Sequence, residues 1–396
     1  MEPRKINPDI YWIGVNDSLT DLFEGLWDIR REGVSYNAYL IRDKKTTLID
    51  LVREDKSEEF LTTLERIISP EEIDYVVVNH MEPDHSGSLR ILRRINPRFT
   101  ILGTEKTLDM LREFYHIKER VEKVEDGEEI SLGRNKLKFF HTPFLHWPET
   151  MVTYEVNSCI LFSCDAFGGY GILKGGIFDE DYPELTSYLE EAFRYYANIV
   201  TKFSRPVIQA INKLKEIEIK TIAPSHGLIW RKNPALIVEQ YLKWAGYGLG
   251  EGERGITILY GSMYGNTKRI INIYAQEISR SGIPLEIFDS ARVPVSYILP
   301  SLLRYKGVVI GAPTYEGTIF PPLAHVLRIA THKGIKNKKF IYAGSFGWRG
   351  GGEKELLKIL EPSGWEMVDK IVFSGAPSEE DIKKSKNTVS RLIENL

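Results

Sequence analysis

The chain has 396 residues, enough for two or three domains with cores of their own, so a small disulfide-held scaffold is excluded. Hydrophobic residues make up 42% and charged ones 27%, a globular balance rather than a disordered one. A net charge of −3 builds no basic field for nucleic acid, and no apolar run nears the roughly 18 residues of a membrane span, so neither partner is expected.

The first residues lack the basic, then apolar, then small-residue order of a secretory signal, and the expectation is a soluble, cytoplasmic protein. Strand-like runs follow one another at 38–41, 46–49, 75–78, 100–102, 137–140, 151–156, 159–162 and 221–223, interleaved with helical patterns such as 56–68 and 184–215. That order predicts two sheets with helices packed outside. Cys159 and Cys164 stand too far apart along one strand to bridge and are expected as buried thiols. With no Cys-x-x-Cys pair, a mononuclear iron–sulfur carrier is expected to be a separate protein.

Between 244 and 255 five glycines fall within ten residues, a composition that resists helix and strand alike, and it divides the chain into domains 1–252 and 253–396. Beyond it the alternation is regular. Strands at 256–260, 285–288, 307–310, 339–343 and 370–373 are expected with helices at 268–281, 321–330, 352–360 and 379–396. Such spacing predicts a parallel, doubly wound sheet.

The most informative stretch is Val76-Val-Val-Asn-His80-Met-Glu82-Pro-Asp84-His85, where an apolar strand runs out into four potential metal ligands within six residues. A regular strand cannot present four ligands together, so a loop is expected to fold them towards one point. His146, Asp165 and His226 follow at later strand ends. Seven ligands exceed the three or four that one transition metal takes, which favours two metals. His116, His325 and His332 read as ordinary core or surface residues, and His141 as a neighbour of the cluster rather than a ligand.

A second site is expected after strand 256–260, in Gly261-Ser262-Met263-Tyr264-Gly265-Asn266-Thr267. Hydroxyls, an amide and a glycine at a helix N-terminus make an anion cradle there. The run is neither a nucleoside-triphosphate loop nor a dinucleotide fingerprint, so a monophosphate fits better. Two further strand ends, Pro313-Thr314-Tyr315-Glu316-Gly317 and Ser345-Phe346-Gly347-Trp348-Arg349-Gly350, could place Tyr315 and Trp348 against a flat ring.

The first cluster resembles the metal pattern of the metallo-β-lactamase fold, with Glu82 where that pattern has its second histidine. A carboxylate there moves preference from zinc towards iron or manganese. The second half resembles flavodoxin. Together, and with the segment 22–27 (Leu-Phe-Glu-Gly-Leu-Trp), the chain resembles the flavodiiron proteins: an N-terminal αββα metallo-β-lactamase-like sandwich followed by a flavodoxin-like domain. The resemblance implies one iron on His80, Glu82 and His146, a second on Asp84, His85 and His226, and Asp165 between them. It implies FMN held by the three loops, with Phe346 and Arg349 at positions the family often fills differently. It also implies reduction of O2 to water, NO to N2O, or both, with electrons from a separate rubredoxin-like donor. A head-to-tail homodimer, or a dimer of dimers, would bring the FMN of one chain beside the metals of its partner. Phe23, Trp147 and Phe167 are expected around the gas pocket. The alternatives are a dizinc hydrolase with a flavodoxin-like docking module, or a non-catalytic gas sensor.

Overall fold

Short apolar strands that are buried at every position must be covered on both faces, and Thr47–Ile49, Met151–Glu155 and Ile160–Cys164 are of this kind. The computed structural model describes residues 2–396; Met1, the first residue of the expected first domain, lies outside them. The chain divides into two compact units, Met1–Leu242 and Lys243–Leu396.

In the first unit a seven-stranded sheet runs in the order Arg4–Lys5, Ile10–Trp12, Tyr39–Ile41, Thr47–Ile49, Tyr75–Val77, Thr100–Gly103, Val121–Lys123. A five-stranded sheet holds Glu129–Ser131, Lys136–His141, Met151–Glu155, Ile160–Cys164 and Thr221–Pro224. Trp12, Tyr39, Ile49 and Val77 of the first sheet share one buried core with Leu137, Phe139, Phe162 and Ala223 of the second. This is the expected pair of sheets. The parallel ladders matter most for function: Tyr75–Val77 lies between two parallel neighbours, and Ile160–Cys164 runs parallel to Thr221–Pro224. The C-terminal ends of these three strands deliver residues 80–86, Asp165 and His226. Cys159 and Cys164 are both buried and free.

The expected helix over 184–215 is interrupted. Leu185–Tyr195 passes through a π-turn, Tyr196–Val200, and a 3-10 turn, Thr201–Phe203, before Ser204–Leu214 begins. Pro206 explains the break, because it has no N–H for the carbonyl of Lys202 and its ring crowds the preceding turn.

A second difference concerns the glycine-rich stretch. Helix Pro234–Gly248 continues through Gly246 and Gly248, so the first half of that stretch is helical. Tyr241, Trp244 and Tyr247 on this helix are buried. Burial of three large aromatic side chains outweighs the roughly 1 kcal/mol that each glycine costs a helix.

The second unit carries five parallel strands in the order Leu285–Asp289, Glu253–Tyr260, Tyr305–Tyr315, Lys339–Phe346, Glu366–Ser374, with Thr318–Ile319 turned back on the end of Tyr305–Tyr315. It is the expected doubly wound sheet. One helix, Val295–Arg304, has no counterpart in the sequence reading, because Pro294 and Pro300 disguise it. Two parallel strands cannot be joined without such a crossover.

At the start of strand Lys339–Phe346 the Lys338 ammonium is buried, donating to the carbonyls of Leu303 (2.9 Å) and Tyr305 (2.7 Å). Burial, with Lys306 nearby, pulls its pKa down to about 7. The unfolded chain, with an ordinary lysine, binds the extra proton up to about pH 10.4, so this group makes the fold gain stability as pH rises above about 7 and lose it as pH falls back. Lys338→Met leaves two carbonyls unpaired, a cost independent of pH, but should abolish that rise of up to about 1.4 kcal/mol per pH unit. Denaturation midpoints of both proteins between about pH 7.5 and 9.5 test it, and parallel slopes would refute it.

Candidate metal centre and flavin cleft

Residue 79 sets the exit of the first ligand segment. The Asn79 backbone N–H and Nδ2 donate to the two oxygens of Asp50 at 2.8 and 2.9 Å, and Thr153 Oγ1 donates to Asn79 Oδ1 at 2.7 Å. The chain then bends at His80–Glu82, and Pro83–Ser86 forms a single helical turn with Pro83 in its first position. Asp84 and His85 therefore stand on a helical turn rather than in the expected loop. One turn is enough to point Glu82, Asp84 and His85 in different directions towards a common centre.

All seven expected side chains meet there. Glu82 Oε2 lies 3.2 Å from His80 Nε2 and 3.1 Å from His146 Nε2. Asp84 places one oxygen 3.3 Å from His85 Nε2 and the other 3.3 Å from His226 Nε2. Asp165 spans the two groups: Oδ1 is 3.1 Å from His85 Nε2 and 3.3 Å from His226 Nε2, while Oδ2 is 3.3 Å from His146 Nε2 and 3.5 Å from His80 Nε2. The geometry is thus two half-sites joined by one carboxylate.

Hydrogen bonds at the far ring nitrogens decide what the near ones offer. His226 Nδ1 faces the carbonyl of Ser35 at 2.8 Å, and a carbonyl only accepts, so Nδ1 carries the hydrogen and Nε2 turns inward. His80 Nδ1 likewise faces Glu149 Oε1 at 2.6 Å. Asp84 Oδ1 and Oδ2, His85 Nε2, Asp165 Oδ2 and His226 Nε2 are buried with no hydrogen-bond partner among the described residues. Such atoms normally cost about 1–3 kcal/mol each. Their convergence, in a mixed imidazole and carboxylate set, fits two transition-metal cations of the iron or manganese kind.

The electrostatics agree. Burial alone lowers the pKa of His146 and His226, yet the neighbouring carboxylates hold them up at about 9 and about 10. Burial raises Asp165 and Glu82, but the surrounding imidazoles hold both below the usual carboxylate range. The pocket stabilises positive charge at its centre.

Three participants are invisible in the sequence pattern. Glu149 orients His80 and also accepts from the N–H of Met81 at 2.9 Å. Tyr195 donates its hydroxyl to Asp165 Oδ1 at 2.8 Å, from within the expected helix. Asp50 acts through Asn79. The only signal for Glu149 is its place three residues after His146; Tyr195 and Asp50 carry none. Glu149→Gln should weaken metal retention about 10- to 100-fold by loosening the orientation and basicity of His80, measurable as faster metal loss to a chelator.

Aromatic rings wall the centre. Phe23 sets its edge against His226 with centroids 5.3 Å apart, and Trp147 against His80 at 5.0 Å. Phe167 packs on Tyr241. His141 bonds to the carbonyl of Val124 and joins none of the clustered groups.

In the second unit, Ser262 Oγ accepts from the N–H groups of Gly265 (3.1 Å) and Lys268 (3.4 Å), closing the loop that opens helix Asn266–Arg280. Gly265 sits at φ +94°, a left-handed conformation costly for a residue with a Cβ. Thr267 Oγ1 pairs with Ser345 Oγ at 2.8 Å and ties the first loop to the third. These loops line a cleft of about 440 Å³ formed by Ser262, Met263, Tyr264, Asn266, Thr267, Pro313, Thr314, Tyr315, Glu316, Ser345, Phe346, Gly347, Trp348 and Gly375. Gly265, Gly317 and Gly350 belong to the same loops without lining the cleft, and Gly375 is an addition, its N–H donating to the carbonyl of Phe346 at 2.8 Å. Tyr264 and Trp348 are 93% and 94% exposed, which removes a core role and leaves broad aromatic faces at the cleft. No Lys or Arg lines it, so an anion there would be held by backbone N–H groups and the helix end.

Among the described residues no helix is long and apolar enough to cross a membrane. Residues 34–227 match the family described as ODP family beta lactamase. A nitric oxide reductase from Moorella thermoacetica is 34% identical over 388 residues, covering 97% of this chain and 96% of the relative. The anaerobic nitric oxide reductase flavorubredoxin of Escherichia coli is 36% identical over 384 residues, covering 96% of this chain and 79% of the relative. Among solved structures, the rubredoxin oxygen:oxidoreductase of Desulfovibrio gigas superposes with a TM-score of 0.95 at 28% identity over 100% of this chain and 98% of its own. A flavo di-iron protein variant from Thermotoga maritima gives 0.91 at 31% identity, covering 99% of this chain and 98% of its own. With two half-sites joined by Asp165, an aromatic cleft on a doubly wound sheet and these full-length likenesses, the chain belongs to the flavodiiron protein family.

Proposed function

We propose that this chain is an oxidoreductase that reduces NO to N2O, O2 to water, or both, using two irons and FMN. The observation that carries this reading is Glu82, whose carboxylate stands between His80 and His146 and turns a pocket of hydrolase type into a harder, more anionic one. His80, Glu82 and His146 would hold one iron and Asp84, His85 and His226 the other, with Asp165 shared. Two irons held there would supply Lewis acidity and one-electron steps, and FMN a two-electron store.

The chain's own residues set the conditions. Three carboxylates would balance the charge of the metals, and His80 and His226 are fixed by their outer hydrogen bonds to Glu149 and to the Ser35 carbonyl. Tyr195, whose pKa burial and Asp165 both push up, keeps its proton and holds it at Asp165 Oδ1. Phe23, Tyr170 and Tyr195 pack edge to face beside His226, with Phe23 to Tyr170 at 5.6 Å and Tyr170 to Tyr195 at 5.2 Å, and exclude bulk water from one flank. A small neutral gas fits such a wall better than a charged ester does. Conversion of O2 to two waters consumes four electrons and four protons, and conversion of two NO to N2O and water consumes two of each.

The flavin cleft would hold FMN with its phosphate on Ser262–Thr267 and its ring between Tyr315 and Trp348. A rubredoxin-like carrier is the donor, a reading supported by the name of the Desulfovibrio gigas relative. The working unit is a head-to-tail homodimer. Purified protein reduced without air should consume O2 or NO at an electrode over many turnovers with excess reductant. A preparation that contains only zinc, hydrolyses thioesters and ignores both gases would overturn the reading. A variant held monomeric should keep both cofactors and lose turnover; full activity would refute the dimer.

A further inference from the structure

Leu22–Phe23 and Trp27–Asp28 form a short antiparallel hairpin whose tip carries Glu24 and Gly25, both in left-handed backbone at φ +51° and +69°. Its two aromatic residues are buried, Phe23 at 4% and Trp27 at 1% exposure, and Phe23 lies against the ring of His226. The hairpin is therefore anchored to the metal pocket by its apolar side chains, and the tip has a defined place above it. Trp27 Nε1 donates to Glu24 Oε2 at 2.8 Å and orients the carboxylate.

One ligand atom each from Glu24, Glu82 and His146 lie within 4.8 Å of one another. Bonds of about 2.0–2.2 Å let one cation gather such a set after small side-chain shifts. Asp165 Oδ2, the shared carboxylate oxygen that is buried without a hydrogen-bond partner, faces the same His146 Nε2 at 3.3 Å and His80 Nε2 at 3.5 Å. Three carboxylates around one imidazole repel one another unless a cation sits among them. Glu24 also stands in the wall of a cleft of about 380 Å³ that Glu82 and Asp84 share with exposed Gly25, so it borders the way from solvent to the site.

We propose that Glu24 is a displaceable ligand, additional to the seven, on the metal that His80, Glu82 and His146 would hold, covering its solvent side until an incoming ligand takes the position. This rests on the diiron reading above. Most ligands of the centre are buried, whereas Glu24 is an exposed side chain at a hairpin tip. Its exchange therefore costs little.

Azide binding to the oxidised holoprotein, followed by its charge-transfer absorption, reports on that position without turnover. Glu24→Gln should bind azide about 10-fold more tightly than the parent, the scale on which groups around a metal site act. Glu24→Asp keeps the charge but is one methylene too short to reach, and should behave like Glu24→Gln. An aspartate variant that binds azide as the parent does would reduce the effect to charge alone and overturn the proposal, as would two variants indistinguishable from the parent. The variants should keep the parent's iron content; loss of one iron, with flavin absorption intact, would make Glu24 a retaining ligand rather than a displaceable one and overturn the proposal. Iron content of the parent is the control for the diiron reading itself: a parent protein without iron sinks both.

Discussion

Asp165→Asn is expected to release at least one metal and to abolish gas reduction while leaving the yellow flavin absorption unchanged. The substitution preserves volume in a position only 2% exposed, so it tests charge rather than packing. In the parent, the two oxygens of Asp165 face four imidazole nitrogens at 3.1 to 3.5 Å, two in each half-site. An amide offers one oxygen and one N–H₂ donor, so one half-site loses its shared ligand and meets a donor instead. Changes merely adjacent to metal ligands cost about 10- to 100-fold in affinity, and removal of a shared ligand should exceed about 100-fold. Metal analysis after gel filtration, with turnover against O2 and NO, measures it. A variant that keeps two metals per chain and parental turnover would remove Asp165 from the centre.

Ser262→Asp should produce the complementary protein, colourless and fully loaded with metal. Ser262 Oγ now accepts from the N–H groups of Gly265 and Lys268 and shapes the loop at the start of helix Asn266–Arg280. Aspartate can make the same bonds, so the loop should persist, but its charge would stand where the FMN phosphate is expected. No cation lines the cleft to offset it. Like charges forced together in a recognition site cost several kcal/mol, and about 3 kcal/mol is roughly 100-fold in affinity. Flavin content and a titration with FMN read the loss directly. Retention of parental affinity would show that the phosphate lies elsewhere. Crossing the two variants offers a test of electron flow between subunits: if each supplies the half the other lacks, mixed dimers should recover part of the turnover that neither homodimer has.

Much of the site is legible in residue order because strand ends are local features. An apolar run such as 75–78 declares a strand, and ligand-type residues immediately after it, at His80, Glu82, Asp84 and His85, declare where that strand opens. The same logic reaches His146, Asp165, His226 and the loops at 262–267, 313–317 and 345–350, since in parallel sheets the carboxyl ends of strands gather at one edge. Side chains that act from a distance leave no such trace. Glu149 meets His80 across 69 positions and Tyr195 meets Asp165 across 30, and neither pairing has a spacing that identifies it. Glu24 reaches Glu82 and His146 only because Phe23 and Trp27 bury themselves and carry the hairpin with them.

The remaining differences have the same origin. Glycines at 246 and 248 argue against a helix, and Pro300 argues against another, yet both helices form. Propensity differences amount to about 1 kcal/mol per glycine and about 3 per proline, whereas burial of one large apolar side chain is worth about 1.5–3 kcal/mol and accumulates along a helix. Composition and order were sufficient for the two-part architecture, the clustering of metal-ligand residue types at strand ends and the loops that line the aromatic cleft. The folded chain alone shows which groups orient the imidazoles and which carboxylate stands at the entrance, because those contacts exist only after distant segments have paid the entropy of coming together.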